Sequence, residues 1–78
     1  MHAKVLVTLR QGVLDPAGQA VAQSLNQLGF ASVKGVRIGK VIEVELDDMP
    51  EDEARKKLEA MGQQLLANTV IEDFEVEL

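Results

Sequence analysis

The chain has 78 residues, a formal net charge of −5, one histidine and no cysteine. An acidic surface repels the phosphate backbone of nucleic acids, which argues against a nucleic-acid partner. A domain of this size buries only about 60–65% of its unfolded surface, and this chain has neither disulfides nor a Cys/His cluster that could hold a structural metal. We therefore expect one domain over residues 1–78 that gains stability by assembling with itself or with another protein.

The sequence shows no secretory leader and no apolar run long enough to cross a membrane. The lack of cysteine is also consistent with a reducing compartment. We therefore predict a cytoplasmic protein that has no membrane partner.

The first strand and the corner that follows it are well defined in the sequence. Residues 3–10 alternate, with one face formed by Ala3, Val5, Val7 and Leu9. Gly12 permits a sharp exit from this strand, and Asp15 can accept hydrogen bonds from the free amides of a helix. Pro16 suits the first helical position because it has no N–H to leave unpaired. These residues predict a helix that begins at Pro16.

Two helices and a last strand follow from the remaining pattern. Apolar residues recur at helical spacing from Pro16 to Leu28, and Gly29 is a natural left-handed stop. A second helix follows Pro50, and the three acidic residues of its first turn complement the helix dipole. The final segment alternates again, with one face formed by Phe74, Val76 and Leu78.

The segment 33–47 has two interpretations. A hairpin that turns at Gly39 and Lys40 would place the charge of Arg37 on the same face as the apolar residues that follow. One long strand over 36–46, bent at glycine, keeps the apolar residues in one phase. The long strand is favoured for this reason, and it could pair in its own sheet and then with another subunit.

Both interpretations give a two-layer α+β sandwich. The hairpin produces a β-α-β-β-α-β, ferredoxin-like order. The long strand produces the variant β-α-β-α-β, in which the strand 36–46 is shared between subunits.

Side chains that could carry catalysis lack partners. His2 precedes the first strand, so a positioned partner for general base catalysis is missing. Cross-strand charge pairing is the simpler explanation for the carboxylates spaced two apart, which are Glu43, Glu45, Glu75 and Glu77. The glycines form no phosphate-binding loop. We therefore predict no catalytic residue, no cofactor and no metal on this chain.

Two cations flank a glycine in an otherwise apolar and acidic stretch, at Arg37, Gly39 and Lys40. Such a pair can hold an acidic protein surface or a phosphate. We predict that these three residues dock a partner. Gly12 and Asp15, in the corner after the first strand, are further candidates for the same surface.

Three strings, taken in order, resemble the small subunit (PurS) of phosphoribosylformylglycinamidine synthase: Gly12 to Gly18, Val36 to Lys40, and Leu65 to Asp73. The resemblance covers essentially the whole chain. Thr69 stands where the family commonly has proline, and Phe74 stands where it commonly has tyrosine. The change at Thr69 leaves the turn before the last strand less rigid.

The resemblance implies a role in the fourth step of de novo purine synthesis, which converts formylglycinamide ribonucleotide, glutamine and ATP to formylglycinamidine ribonucleotide. A glutaminase subunit would release ammonia, and a large synthetase subunit would use ATP and magnesium. The small subunit would form a homodimer or a dimer of dimers, bridge the other two and help ammonia to pass between them. The resemblance thus places no active site and no cofactor on this chain.

Two other classes of function are compatible with the residues. A ferredoxin-like regulatory module that binds a small molecule would use loops such as 10–18, and its ligand would raise its melting temperature. An RNA-binding sandwich would need aromatic rings on the open face of the sheet, and Phe30 and Phe74 are the only aromatic residues.

Overall fold

The computed structural model describes all 78 residues and contains a three-stranded antiparallel sheet with two α-helices. The elements in chain order are β1 (His2–Leu9), α1 (Pro16–Gln27), β2 (Lys40–Glu45), α2 (Glu51–Met61), a single π-helical turn (Gly62–Leu66) and β3 (Glu72–Glu77). β1 lies in the middle of the sheet, between β2 and β3. The predicted α+β class is confirmed.

The core lies on one face of the sheet, beneath α2. β1 supplies Ala3, Val5 and Val7 to this face, and the last two are completely inaccessible to solvent. Leu58 of α2 is also completely inaccessible and belongs to the same cluster. Only ten residues of the chain are buried, so each large side chain in the cluster forms a substantial part of the core.

The opposite face of the sheet is open and charged. The register places Lys4 of β1 directly between Glu43 of β2 and Glu77 of β3, although neither carboxylate lies within 4 Å of the Lys4 ammonium. Phe74 lies beside Val7, which puts the aromatic ring on the core face. The open face therefore has no aromatic ring on which a nucleic-acid base could stack.

The segment before β2 differs from the strand predicted over 36–46. β2 begins only at Lys40, and residues 33–39 form neither a strand nor one arm of a hairpin. Pairing between β1 and β2 extends no further than Val7 and Lys40, and no other strand of the same chain lies on that side. The backbone of 33–39 therefore has no ladder to join, which explains why the strand is shorter than predicted.

α1 makes no extensive contact with the sheet, and Gly18 is its only buried residue. The protein measures 48 × 24 × 14 Å, and its radius of gyration of 15.9 Å exceeds the value of about 11.5 Å for a compact chain of this length. We call residues 10–39, which contain α1, the arm. The body is the sheet together with α2 and the π-helical turn.

α2 begins after Pro50, as predicted, and carries three acidic residues in its first turn. It widens into the π-helical turn at Gly62, where an added Cβ would overlap the ring of Phe74. The lack of a side chain at Gly62 thus lets the end of α2 approach β3 closely. Neither helix has both the length and the apolar composition needed to cross a lipid bilayer.

Candidate partner-docking site

A cleft of about 820 Å³ opens in the arm. Its walls are the corner loop, one face of α1 and the segment 34–37. Three of the five residues predicted for docking line this cleft: Gly12, Asp15 and Arg37. We refer to it below as the arm cleft.

Asp15 forms part of the inner wall and is only 5% exposed. Its Oδ1 accepts a hydrogen bond of 2.8 Å from the Gly18 amide, and its Oδ2 accepts one of 2.8 Å from the Ile38 amide. The pKa of Asp15 lies below its ordinary value of 3.8, because the groups around it stabilise the ionised form. The hydrogen bond from the Ile38 amide has the largest effect, ahead of that from the Gly18 amide and the charge of Arg37. Asp15 therefore ties the start of α1 to the segment before β2.

Gly18 is needed where α1 meets this segment. A Cβ built at Gly18 would overlap the backbone carbonyl oxygen of Val36, so any larger residue would push the helix away. The close approach lets the Asp15 carboxylate reach both the Gly18 and the Ile38 amides. The corner predicted from the sequence is thus both a helix start and a tertiary contact.

Arg37 holds the corner from the other side. Its Nη1 donates to the carbonyl oxygen of Val13 at 2.8 Å, and its Nη2 donates to that of Arg10 at 3.1 Å. The side chain of Arg10 in turn donates to the carbonyl oxygen of Thr69 and lies 3.5 Å from a carboxylate oxygen of Asp73. These hydrogen bonds connect the arm to the loop before β3.

Gly39 and Lys40 lie outside the arm cleft. A Cβ at Gly39 would be 2.6 Å from the carbonyl oxygen of Val7, so Gly39 lets the chain pass close to β1. The Nζ of Lys40 lies 3.8 Å from a carboxylate oxygen of Glu72, which joins the two edge strands across β1. The structure therefore does not bring all five predicted residues to one surface.

Gly39→Ala is expected to destabilise the protein by about 1–2 kcal/mol, because the neighbouring atom is backbone of the central strand and cannot turn aside. Gly35→Ala is the matched control in the same segment, since nothing lies within 4 Å of a Cβ at that position. Urea unfolding followed by circular dichroism measures both free energies. Equal stability of the two variants would contradict the role assigned to Gly39.

Four further residues of the arm cleft were not predicted from the sequence. Gln19, Gln23 and Asn26 recur along one side of α1 and line the cleft, and Lys34 lies on the opposite wall. No carboxylate lies within 4 Å of the Lys34 ammonium. The helical spacing of Gln19, Gln23 and Asn26 is the feature of the sequence that could have indicated a polar face on α1.

The charge in the arm cleft is positive on its accessible walls. Lys34 and Arg37 contribute cations, whereas Asp15 is the only acidic residue in the lining and directs its oxygens to backbone amides. A positive cleft on an otherwise acidic protein is complementary to a carboxylate-bearing surface. A polar cleft on a projecting arm, beside a small α+β body, is typical of a protein that acts by contact with other molecules.

The family model described as "PurS: Phosphoribosylformylglycinamidine (FGAM) synthase" matches residues 2–78, and the chain belongs to this family. It is 53% identical over 73 residues to the phosphoribosylformylglycinamidine synthase subunit PurS of Synechocystis, covering 94% of this chain and 73% of that protein. It is 38% identical over 76 residues to the PurS subunit of Methanocaldococcus jannaschii, covering 97% and 92% of the two chains.

Solved structures of the family have the same fold. The crystal structure of Methanocaldococcus jannaschii PurS superposes with a TM-score of 0.88 over 97% of this chain and 92% of that one, at 38% identity. A chain in the structure of PurLQS from Thermotoga maritima superposes with a TM-score of 0.85 over 100% and 99% of the two chains, at 31% identity. The resemblance stated from the sequence is confirmed, and PurS is a subunit of a purine-biosynthetic ligase.

Proposed function

We propose that this chain joins the glutaminase and synthetase subunits of phosphoribosylformylglycinamidine synthase and helps ammonia to pass between them. The observation that carries the proposal is the match of residues 2–78 to PurS, together with the near-complete superposition on a chain of PurLQS. The polar, positive arm cleft supports it, because the cleft offers a binding surface rather than a set of reacting groups.

The direct test is reconstitution of the enzyme with and without this chain. Omitting it from a mixture with the synthetase and glutaminase should abolish glutamine-dependent product, because ammonia would no longer be delivered. High free ammonia should still support synthesis by the synthetase. Full glutamine-dependent activity without the chain would refute the bridging role.

We propose further that the arm cleft docks one of these subunits through an acidic segment of that partner. Gly12, Asp15 and Arg37 shape the cleft, and Lys34 supplies the accessible charge. Arg37 is bonded to two backbone carbonyl oxygens of the corner, so its replacement would disturb the cleft itself. Gly39 and Lys40 remain predicted contacts at the base of the arm, outside the cleft.

Lys34→Glu is expected to weaken assembly roughly tenfold or more, because it sets a carboxylate against an acidic partner segment. Lys56→Glu is the matched control, since Lys56 is an exposed lysine of α2 with no carboxylate within 4 Å. Glutamine-dependent activity as a function of the concentration of this chain measures the effect. Equal losses in the two variants would show that overall charge, and not the arm cleft, determines docking.

The remaining features of the proposal follow from the same role. ATP and magnesium would bind to the synthetase subunit, and this chain would bind no cofactor. All of residues 1–78 would act as one PurS-like domain in the cytoplasm, as a homodimer or a dimer of dimers. The match over 2–78 supports the single domain.

A further inference from the structure

The open face of the sheet, on the side away from the core, is not covered by any part of the chain. All the side chains that point to this face are exposed except Leu6, which is half-buried. They are His2, Lys4, Leu6 and Thr8 of β1, Val41, Glu43 and Glu45 of β2, and Asp73, Glu75 and Glu77 of β3. The open face is therefore a free surface of the body.

The carboxylates on the two edge strands of this face have no ionic partner. Glu43 and Glu45 follow one another on the open face of β2, and Glu75 and Glu77 do so on that of β3. No cationic nitrogen of the chain lies within 4 Å of any of the four. Like charges two residues apart on one face repel one another. Cations supplied by another molecule would relieve this repulsion.

An apolar patch and a hollow lie beside these carboxylates. Leu6 of β1 is directly opposite Val41 of β2, and Val41 is 60% exposed. The hollow, of about 350 Å³, opens at one end of the face, and Glu43, Glu77 and Leu78 form part of its lining. An arginine or lysine that enters it can pack its stem on Leu78 and reach the carboxylates with its charged end. The open face thus combines apolar contact area with charged groups, as protein interfaces do.

The charge of the open face selects the kind of molecule that fits it. Its five carboxylates are opposed only by Lys4 and by the single histidine of the chain. A second copy that stacked on it through the same face would bring carboxylates against carboxylates. Nucleic acids and anionic lipids would meet the same repulsion. A protein segment that carries lysine or arginine around apolar side chains has the complementary charge.

We propose that the open face binds a basic segment of one subunit of the enzyme, while the arm cleft binds an acidic segment of the other. The assignment rests on the proposed function, because a chain that bridges two subunits needs two surfaces that do not overlap. The open face lies on the body and shares no residue with the arm cleft. Because the two surfaces have opposite charges, each subunit is disfavoured at the surface that binds the other.

Neutral variants test the open face. Glu43→Gln combined with Glu77→Gln keeps the size of both side chains and removes two charges. The concentration of this chain that gives half-maximal glutamine-dependent activity should rise about tenfold or more. Asp52→Asn combined with Glu59→Gln is the matched control, because it removes two charges from exposed, unpaired positions of α2. An equal rise in the control, or no rise in the open-face variant, would overturn the assignment.

Photo-cross-linking in the assembled enzyme identifies what covers each surface. The chain has no cysteine, so His2→Cys labels the open face and Gln23→Cys labels the arm cleft when each carries a benzophenone maleimide, attached before mixing. Illumination of the complete enzyme followed by denaturing electrophoresis should join the two probes to different subunits. Attachment of both probes to the same subunit would overturn the assignment. Attachment of the His2→Cys probe to a second copy of this chain, or to nothing, would also overturn it.

Two negative results have different meanings. If glutamine-dependent activity persists when the chain is omitted, the bridging role fails and the assignment of the open face fails with it. If omission abolishes the activity but Glu43→Gln with Glu77→Gln restores it at the same concentration as the unchanged chain, the bridging role stands and the open face is not the docking surface.

Discussion

Leu58→Ala is expected to remove a large fraction of the protein's free energy of unfolding. Leu58 is completely inaccessible and is among the three largest side chains that are fully buried. Removing a buried leucine costs about 2–5 kcal/mol, whereas a domain of this length has a total stability of about 4–12 kcal/mol. Urea unfolding followed by circular dichroism at 222 nm measures the loss.

Leu65→Ala is the matched control, because Leu65 lies about two helical turns further along the chain but is 83% exposed. The same chemical change there should alter the free energy of unfolding by less than about 0.5 kcal/mol. If the two variants unfolded at the same urea concentration, the core would not depend on α2 as the structure indicates. A loss confined to Leu58→Ala would locate the stability of the chain in the buried face of α2.

Much of the body and the two ends of α1 could be predicted from the sequence, because the spacing of apolar residues determines which face of an element is apolar and local residues determine where a helix begins and ends. The alternation in β1 correctly gave Ala3, Val5 and Val7 as its core face. The start of α1 at Pro16 and its end before Gly29, which has a φ of +103°, also match the structure. Each of these features is set by residues close together in the chain.

The segment before β2 could not be predicted in the same way. An apolar phase over 36–46 indicates a strand, but a strand also needs a neighbour, and Val7 is the last residue of β1 that pairs with β2. The apolar residues of α1 pose the same problem, since their spacing does not indicate what covers them. Neither feature is determined by residues close together in the chain.

The candidate site was predicted in part. Asp15 was correctly predicted as the cap of α1, but its second bond reaches the Ile38 amide, 23 residues away, and no local pattern indicates such a contact. Arg37 was selected for its charge, whereas the structure assigns its guanidinium to backbone carbonyl oxygens. Lys34 was missed because a lone lysine in a loop carries no signal of its own.

Asp15→Asn is expected to lower the melting temperature at neutral pH by roughly 5–10 °C, because an amide loses the charge-assisted bonds that join α1 to Ile38. Exchange of the Gly18 and Ile38 amide protons with solvent should become faster. Asp48→Asn is the control, since the Asp48 side chain is almost fully exposed and pairs only with the amino terminus. Its melting temperature should stay close to that of the unchanged protein.

The difference between Asp15→Asn and the unchanged protein should depend on pH. The pKa of Asp15 is lower in the folded protein than the ordinary value of 3.8, so the folded state binds the proton less tightly than the unfolded state does. The stabilisation from Asp15 is therefore complete above the ordinary value and is lost as pH falls from there through the lower folded pKa. The melting temperatures of Asp15→Asn and of the unchanged protein should converge in that acidic range and differ at neutral pH. A gap of constant size down to the lowest pH, or no gap at neutral pH, would mean that the ionised carboxylate does not hold the arm.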